Sequence, residues 1–158
     1  MKTFCSILAV WLLGHAAFAR IHRTWSYEQL THDADCIVIA TPVSVFHLID
    51  ALGQTTFPDI VQMGTNNVRT PVPAVGIETT FAVLSVLKGG TNTKSFVLYH
   101  LAEAENKSVF NGPQLIAFEP KEKKRFLLFL KREPDGRFTP LTGQVDPVES
   151  VKDLGAYP

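Results

Sequence analysis

The sequence predicts a mainly β protein, a small Greek-key barrel of five to six strands with a short N-terminal helix and a short C-terminal helix or edge segment. Three observations carry this. Apolar runs rich in β-branched residues recur between clusters of Gly, Pro and Asn. One of them, Ile77 to Leu87, alternates strictly between two faces, and the first is interrupted by Pro42. Alternation is the signature of a strand, and a proline inside an apolar run marks the bulge that a sharply bent strand needs. A β-sandwich is the alternative use of the same strands. No repeat at a period of roughly 20 to 50 residues is present, which excludes a solenoid or propeller.

The elements follow in order. Trp25 to Leu30 opens a short helix: Ser26 caps it, Gln29 completes a capping box three residues on, and the helix ends near His32 to Ala34. Cys36 to Thr41 is apolar on both faces and reads as a well-buried strand; Val43, Val45 and Phe46 resume it after Pro42. Residues 50 to 74, punctuated by Gly53, Pro58, Gly64, Pro71 and Pro73, read as a long irregular connection. The alternating strand from Ile77 turns at Lys88 to Thr93 and returns as Ser95 to Leu101, a hairpin. A polar loop around Asn111-Gly112-Pro113 leads to a short strand at Leu115 to Phe118 and a charge run at Lys121 to Arg125. Arg125 to Lys131 and Arg137 to Gly143 form a second hairpin about Pro134-Asp135-Gly136, and Val148 to Leu154 is the C-terminal helix or edge segment.

The N-terminus has the form of a secretory signal. Lys2 precedes an apolar run through Leu13, and Ala17-Phe18-Ala19 offers a small-x-small cleavage site. That run is shorter than the ~20 residues a membrane span requires. Removal of residues 1–19 leaves one domain, 20–158, that begins at Arg20 and carries a net charge of −1: Lys2 is lost from 15 Lys and Arg, against 15 Asp and Glu. That balance disfavours nucleic acid as a partner. Cys5 leaves with the signal, so Cys36 remains alone and no internal disulfide can form. An exported domain without a staple relies on apolar burial, consistent with 46% hydrophobic residues and with a secreted or periplasmic bacterial protein.

Three stretches carry a resemblance: Ala34 to Ala40 with Val43-Ser44, Thr80 to Gly89, and Arg125 to Leu130. Over about residues 30 to 142 their order resembles the netrin-like domain family, the oligonucleotide/oligosaccharide-binding (OB) barrel shared by tissue inhibitors of metalloproteinases. The resemblance implies an OB-like fold. Inhibition in that family depends on an N-terminal cysteine that chelates the protease zinc and on disulfides that hold it; with Arg20 at the new terminus and a lone Cys36, that activity does not carry over.

Candidate chemistry is sparse. His22, His32, Asp33 and Asp35 contain metal-binding groups, the basis of an alternative reading as a small metal-dependent hydrolase, yet they lack the paired spacing of a zinc site. The plainer reading has Asp33 or Asp35 ending the helix and Cys36 as a small buried hydrophobe. A thiol enzyme would need His32, His47 or His100 beside Cys36, and an apolar strand raises a thiol pKa. No G-x-S-x-G, P-loop or cofactor motif occurs, so no catalytic residue, metal or cofactor is assigned. Lys121, Lys123, Lys124 and Arg125, with Lys131, Arg132 and Arg137, read as charges flanking an aggregation-prone strand rather than as a basic patch. Aromatics outside the strands, Trp25, Tyr27, Phe57 and Phe110, are the candidate binding residues, with a plug at the barrel end the competing role for Trp25 or Tyr27. The reading that results is an exported, non-enzymatic binding module for a protein or cell-envelope polymer, contacting it through residues 50 to 74 and the barrel mouth.

Overall fold

The computed structural model describes residues 23–48, 54–63, 69–90, 94–104 and 113–156, and within them the chain is mainly β. A single helix, α1 (Tyr27–Asp33), starts where the capping box places it: Ser26 Oγ accepts from the Gln29 N–H at 3.1 Å, and Gln29 Oε1 accepts from the Ser26 N–H at 3.0 Å. Both orphan donors are thereby satisfied. The helix stops at Ala34, whose extended backbone (φ −69°, ψ 136°) starts the chain toward the sheet. Its other end is held from a distance, because Lys88 Nζ donates to the carbonyls of Thr31 at 2.7 Å and His32 at 2.9 Å, where a cation suits the helix dipole.

Seven strands form one mixed sheet. They are β1 (Cys36–His47), β2 (Gln54–Met63), β3 (Arg69–Lys88), β4 (Ser95–Glu103), β5 (Lys124–Arg132), β6 (Phe138–Pro140) and β7 (Val151–Ala156). β1 is antiparallel to β3 along one edge and to β5 along the other. β4 continues the sheet beyond β3, and a single parallel link, Leu98 to Phe138, joins β4 to β6. β6 and β7 share the far edge of β5.

Because successive strand residues face opposite ways, the sheet divides its apolar residues into three clusters. The main core takes one face: Val38, Ala40, Leu98, Leu128 and Leu130 surround Phe81, which stacks on Phe96 at 5.3 Å and meets Phe118 edge-on at 4.9 Å. Fully burying a side chain of that size stabilises by roughly 2–3 kcal/mol. On the opposite face α1 packs Leu30 onto Ile37 and Phe129, and further along Phe57 joins Val72, Ala74 and Leu101.

The structure corrects the sequence reading at several points. Among the described residues there are seven strands, because the supposed irregular connection of residues 50 to 74 contains β2 and the start of β3. Its prolines misled. The β2–β3 register jumps between Thr56 and Val61, so Pro58 lies in a stretch with no ladder partner. Pro73 turns its carbonyl, and hence its missing N–H, toward Ala104 beyond the end of β4, where no ladder donor is required. Leu115 to Phe118 is not a strand: those residues reach the clusters by side chain alone. The C-terminal segment is a 3₁₀ turn, Pro147–Glu149, followed by the edge strand β7, so the alternative of a C-terminal α-helix falls. Among the described residues no helix is long and apolar enough to cross a membrane.

One side chain substitutes for a missing strand. β6 covers β4 at Leu98 only; beyond it, Gln144 Oε1 accepts from the Leu101 N–H at 3.0 Å and its Nε2 donates to the Tyr99 carbonyl at 3.2 Å. Gln144→Ala leaves both groups unanswered, and a stability loss of about 1–2 kcal/mol is expected. The measurement is a lower urea midpoint at unchanged m-value, with faster hydrogen exchange at the Leu101 amide; an unchanged midpoint refutes the role.

Candidate functional site

The β1–β3 ribbon is the most irregular ladder of the sheet, and its irregularities have consequences at the surface. Pairing runs from Pro42 with Phe81 to Ser44 with Thr80, omitting Val43; from Ala40 with Val83 to Ile39 with Ser85, omitting Leu84; and from Val38 with Val86 to Ile37 with Lys88, omitting Leu87. Each omitted residue is a bulge that adds local twist and bend. Each is also a large apolar side chain more than half exposed: Val43 at 52%, Leu84 at 54% and Leu87 at 59%. Phe46, on the same ribbon, is 65% exposed.

Phe46 pairs with Glu78, and Glu78 pairs with Tyr99, so the three residues form one row across β1, β3 and β4 on the face opposite the main core. Arg137, from the β5–β6 turn, covers the row. Its guanidinium lies 4.9 Å from the centre of the Tyr99 ring and donates to Glu78 Oε1 at 3.0 Å and, through Nε, to Asp135 Oδ2 at 2.8 Å. These bonds raise the Arg137 pKa, first through Asp135, and keep the guanidinium charged and fixed. Tyr99 can lie flat because Gly76 is beneath it: a Cβ there would come within 3.0 Å of the ring. An aromatic and a paired cation are thus held in the same row as Phe46, with Val43, Leu84 and Leu87 exposed further along the ribbon.

The residues singled out from sequence are dispersed. His32 Nδ1 and Asp33 Oδ1 are 2.7 Å apart and both solvent-exposed. Asp35 turns instead to the end of β5, where Oδ2 accepts from the Arg132 N–H at 3.0 Å and Oδ1 meets Lys131 Nζ at 3.3 Å. The Arg132 N–H, ahead of Lys131, holds the Asp35 carboxyl below its ordinary range against an opposing push from burial. Among the described residues no three metal-binding groups converge; His22 lies outside them. Cys36 packs in the main core, 6% exposed, and burial pushes its thiol pKa up. Several of the basic residues are paired: Lys124 with Glu122 and Asp153, Lys131 with Asp35, Arg137 with Asp135 and Glu78.

Of the candidate aromatics, Tyr27 is 62% exposed and rests one ring edge near Phe129, at 6.1 Å. Trp25 packs against the cluster under α1, with the Arg23 guanidinium 4.1 Å from its ring centre. Phe57 is corrected: it lies in β2, 2% exposed, at the centre of the third cluster, because the hairpin arm needs an apolar anchor on the sheet. Phe110 lies outside the described residues. Sequence reasoning named Arg137 only as a flanking charge and did not single out Val43, Phe46, Leu84, Leu87 or Tyr99 as surface residues, because strict alternation placed Leu84 and Leu87 on an unbroken strand. The available signal was Pro42, which announces a bulge without saying how many follow.

His100 has the most perturbed environment. It is 3% exposed between Thr79, whose Oγ1 is 2.9 Å from Nε2, and Phe118, whose ring it meets edge-on at 5.1 Å. Burial, with a smaller repulsion from His47, pushes its pKa down to about 4. In comparisons with known proteins the chain matches no family model and no curated sequence.

Two outcomes follow. The unfolded chain binds a proton at His100 near pH 6.5 and the folded one only near 4, so stability is full above pH 6.5 and declines between those values by up to about 3 kcal/mol. His100→Gln flattens that part of the curve in denaturation measured from pH 7 to 4; an equally steep curve refutes the assignment. In a Cys5→Ser background, Cys36 reacts with an aromatic disulfide reagent at pH 8 at least about tenfold more slowly than a free thiol, and urea abolishes the difference. Rapid native labelling would show an accessible thiolate.

Proposed function

We propose that this chain is an exported, non-enzymatic binding protein on an OB-like Greek-key barrel, and that it grips a partner protein with the outer face of the β1–β3–β4 region. The observation that carries the reading is the exposure of Val43, Phe46, Leu84 and Leu87 on one ribbon. Isolated exposed apolar residues are ordinary, but four along one ribbon, with a fixed aromatic and arginine in the row of Phe46, have the composition of an interface core. Three of the four are aliphatic, which suits the apolar core of a protein interface and favours a protein partner over a cell-envelope polymer.

The barrel reading is supported by the ladder path. Followed from β1 through β3, β4, β6 and β5, the pairings return to β1, with the parallel link falling between β4 and β6. That circuit is consistent with the netrin-like resemblance, in which strands two and three of the barrel carry the ligand face. The leader, Met1 to Ala19, would deliver the chain to the periplasm or exterior. The non-enzymatic reading rests on the chemistry of the two reactive groups: Cys36 is kept protonated by burial, and His100 is neutral and sealed against Thr79.

A photo-crosslinking amino acid placed at Phe46, Leu84 or Leu87 in producing cells should yield a discrete conjugate with another protein, and the same group at Lys121 should not. Conjugates alike at all four positions, or at none, sink the proposal. A conjugate of twice the protein's mass would replace it with self-association, and a polysaccharide smear with envelope-polymer binding.

A further inference from the structure

A separate feature lies at the end of the sheet where β1 starts. The Asp35–Cys36 segment, Gly90 after β3 and the β5–β6 turn line a solvent-open cleft of about 560 Å³, within the size range of small-molecule sites. Its apolar wall is made by Cys36, Pro134 and Phe138; its polar wall by Asp35, Arg132 and Glu133.

The charges are unequally satisfied. Asp35 is matched by Lys131 and the Arg132 N–H, and Glu133 Oε1 accepts from the Thr139 hydroxyl at 2.9 Å. The Arg132 guanidinium differs. It lies 5.4 Å from the centre of the Phe138 ring, and among the described residues no carboxylate stands within ion-pair distance of it. Its backbone is anchored through Asp35, so a planar donor fork is presented beside an apolar wall from a fixed base. A fork of that kind matches a carboxylate with two parallel hydrogen bonds. The neighbouring Asp35 and Glu133 repel a dianion more strongly than a monoanion, which selects against phosphate.

We propose that this cleft binds a monocarboxylate attached to an apolar body, with the carboxylate on Arg132 and the body against Phe138, Pro134 and Cys36. The same chemistry is offered by a free organic acid and by the C-terminal residue of a polypeptide. The site is independent of the β1–β3 face and does not rest on the function proposed for it.

The test is titration of the isotope-labelled protein with 3-phenylpropanoate, with a tetrapeptide ending in phenylalanine as the free acid, with that peptide's C-terminal amide, and with inorganic phosphate. Saturable shifts of the Cys36, Gly90 and Arg132 amide signals by at least one acid are expected. Arg132→Gln should weaken that binding at least about tenfold while leaving signals outside the cleft in place, and Arg132→Lys should retain part of it. Tighter binding of the free acid assigns a small metabolite, and tighter binding of the peptide acid a polypeptide terminus. The proposal is overturned if neither acid shifts those signals, if the amide or phosphate matches the acids, or if Arg132→Gln binds as well as the parent.

Discussion

β1 is hydrogen-bonded along both edges, to β3 from Ile37 to His47 and to β5 from Cys36 to Ala40. A strand committed to two partners cannot relax its twist at a free edge, so the curvature must be absorbed inside the ladder. The β1–β3 ribbon absorbs it by omitting pairs at Val43, Leu84 and Leu87, each of which shortens one strand relative to the other and increases the bend. Phe81 from β3 can then close on the same core as Leu128 and Leu130 from β5, with Val38 of the shared strand β1 between them.

How much of this was legible depends on whether the signal was local. The capping box at Ser26 and Gln29 is a contact within one turn, and it was readable. So were the β3–β4 and β5–β6 hairpins, whose turns are set by Gly89, with φ of 101°, and Gly136, with φ of 88°. β2 was hidden because its pattern is broken by a proline that the register simply skips. β7 was half visible: only Val151 is buried, so no alternation marks it. The surface row of Phe46, Glu78 and Tyr99 was invisible because it depends on register between three strands, which the alternation of any one of them does not determine.

The polar residues that look like a site in sequence act mainly as fasteners. Asp35 joins the entry of β1 to the exit of β5, and Lys88 joins the exit of β3 to the end of α1. Arg137 joins the β5–β6 turn to β3. Exposed pairs of this kind contribute at most about 1 kcal/mol each, so they do not hold the fold together against unfolding. Their effect is geometric: they fix the ends of strands whose middles are fixed by the core. Where one such end has a donor left over, as at Arg132, the fastening itself creates a prepared polar group.

Folding alone explains why bulges occur on β1 and β3; it does not explain what occupies them. A bulged position has no ladder partner and, at these three sites, little core to pack against, so a polar residue would serve the bend equally well and would be better hydrated. Valine and two leucines there leave burial energy on the order of 1 kcal/mol each unrealised in the isolated chain. Phe46 adds a fourth such deficit on the same ribbon. The bulged positions are therefore also positions where apolar surface stays exposed, and it is this coincidence on which the proposed docking face is built.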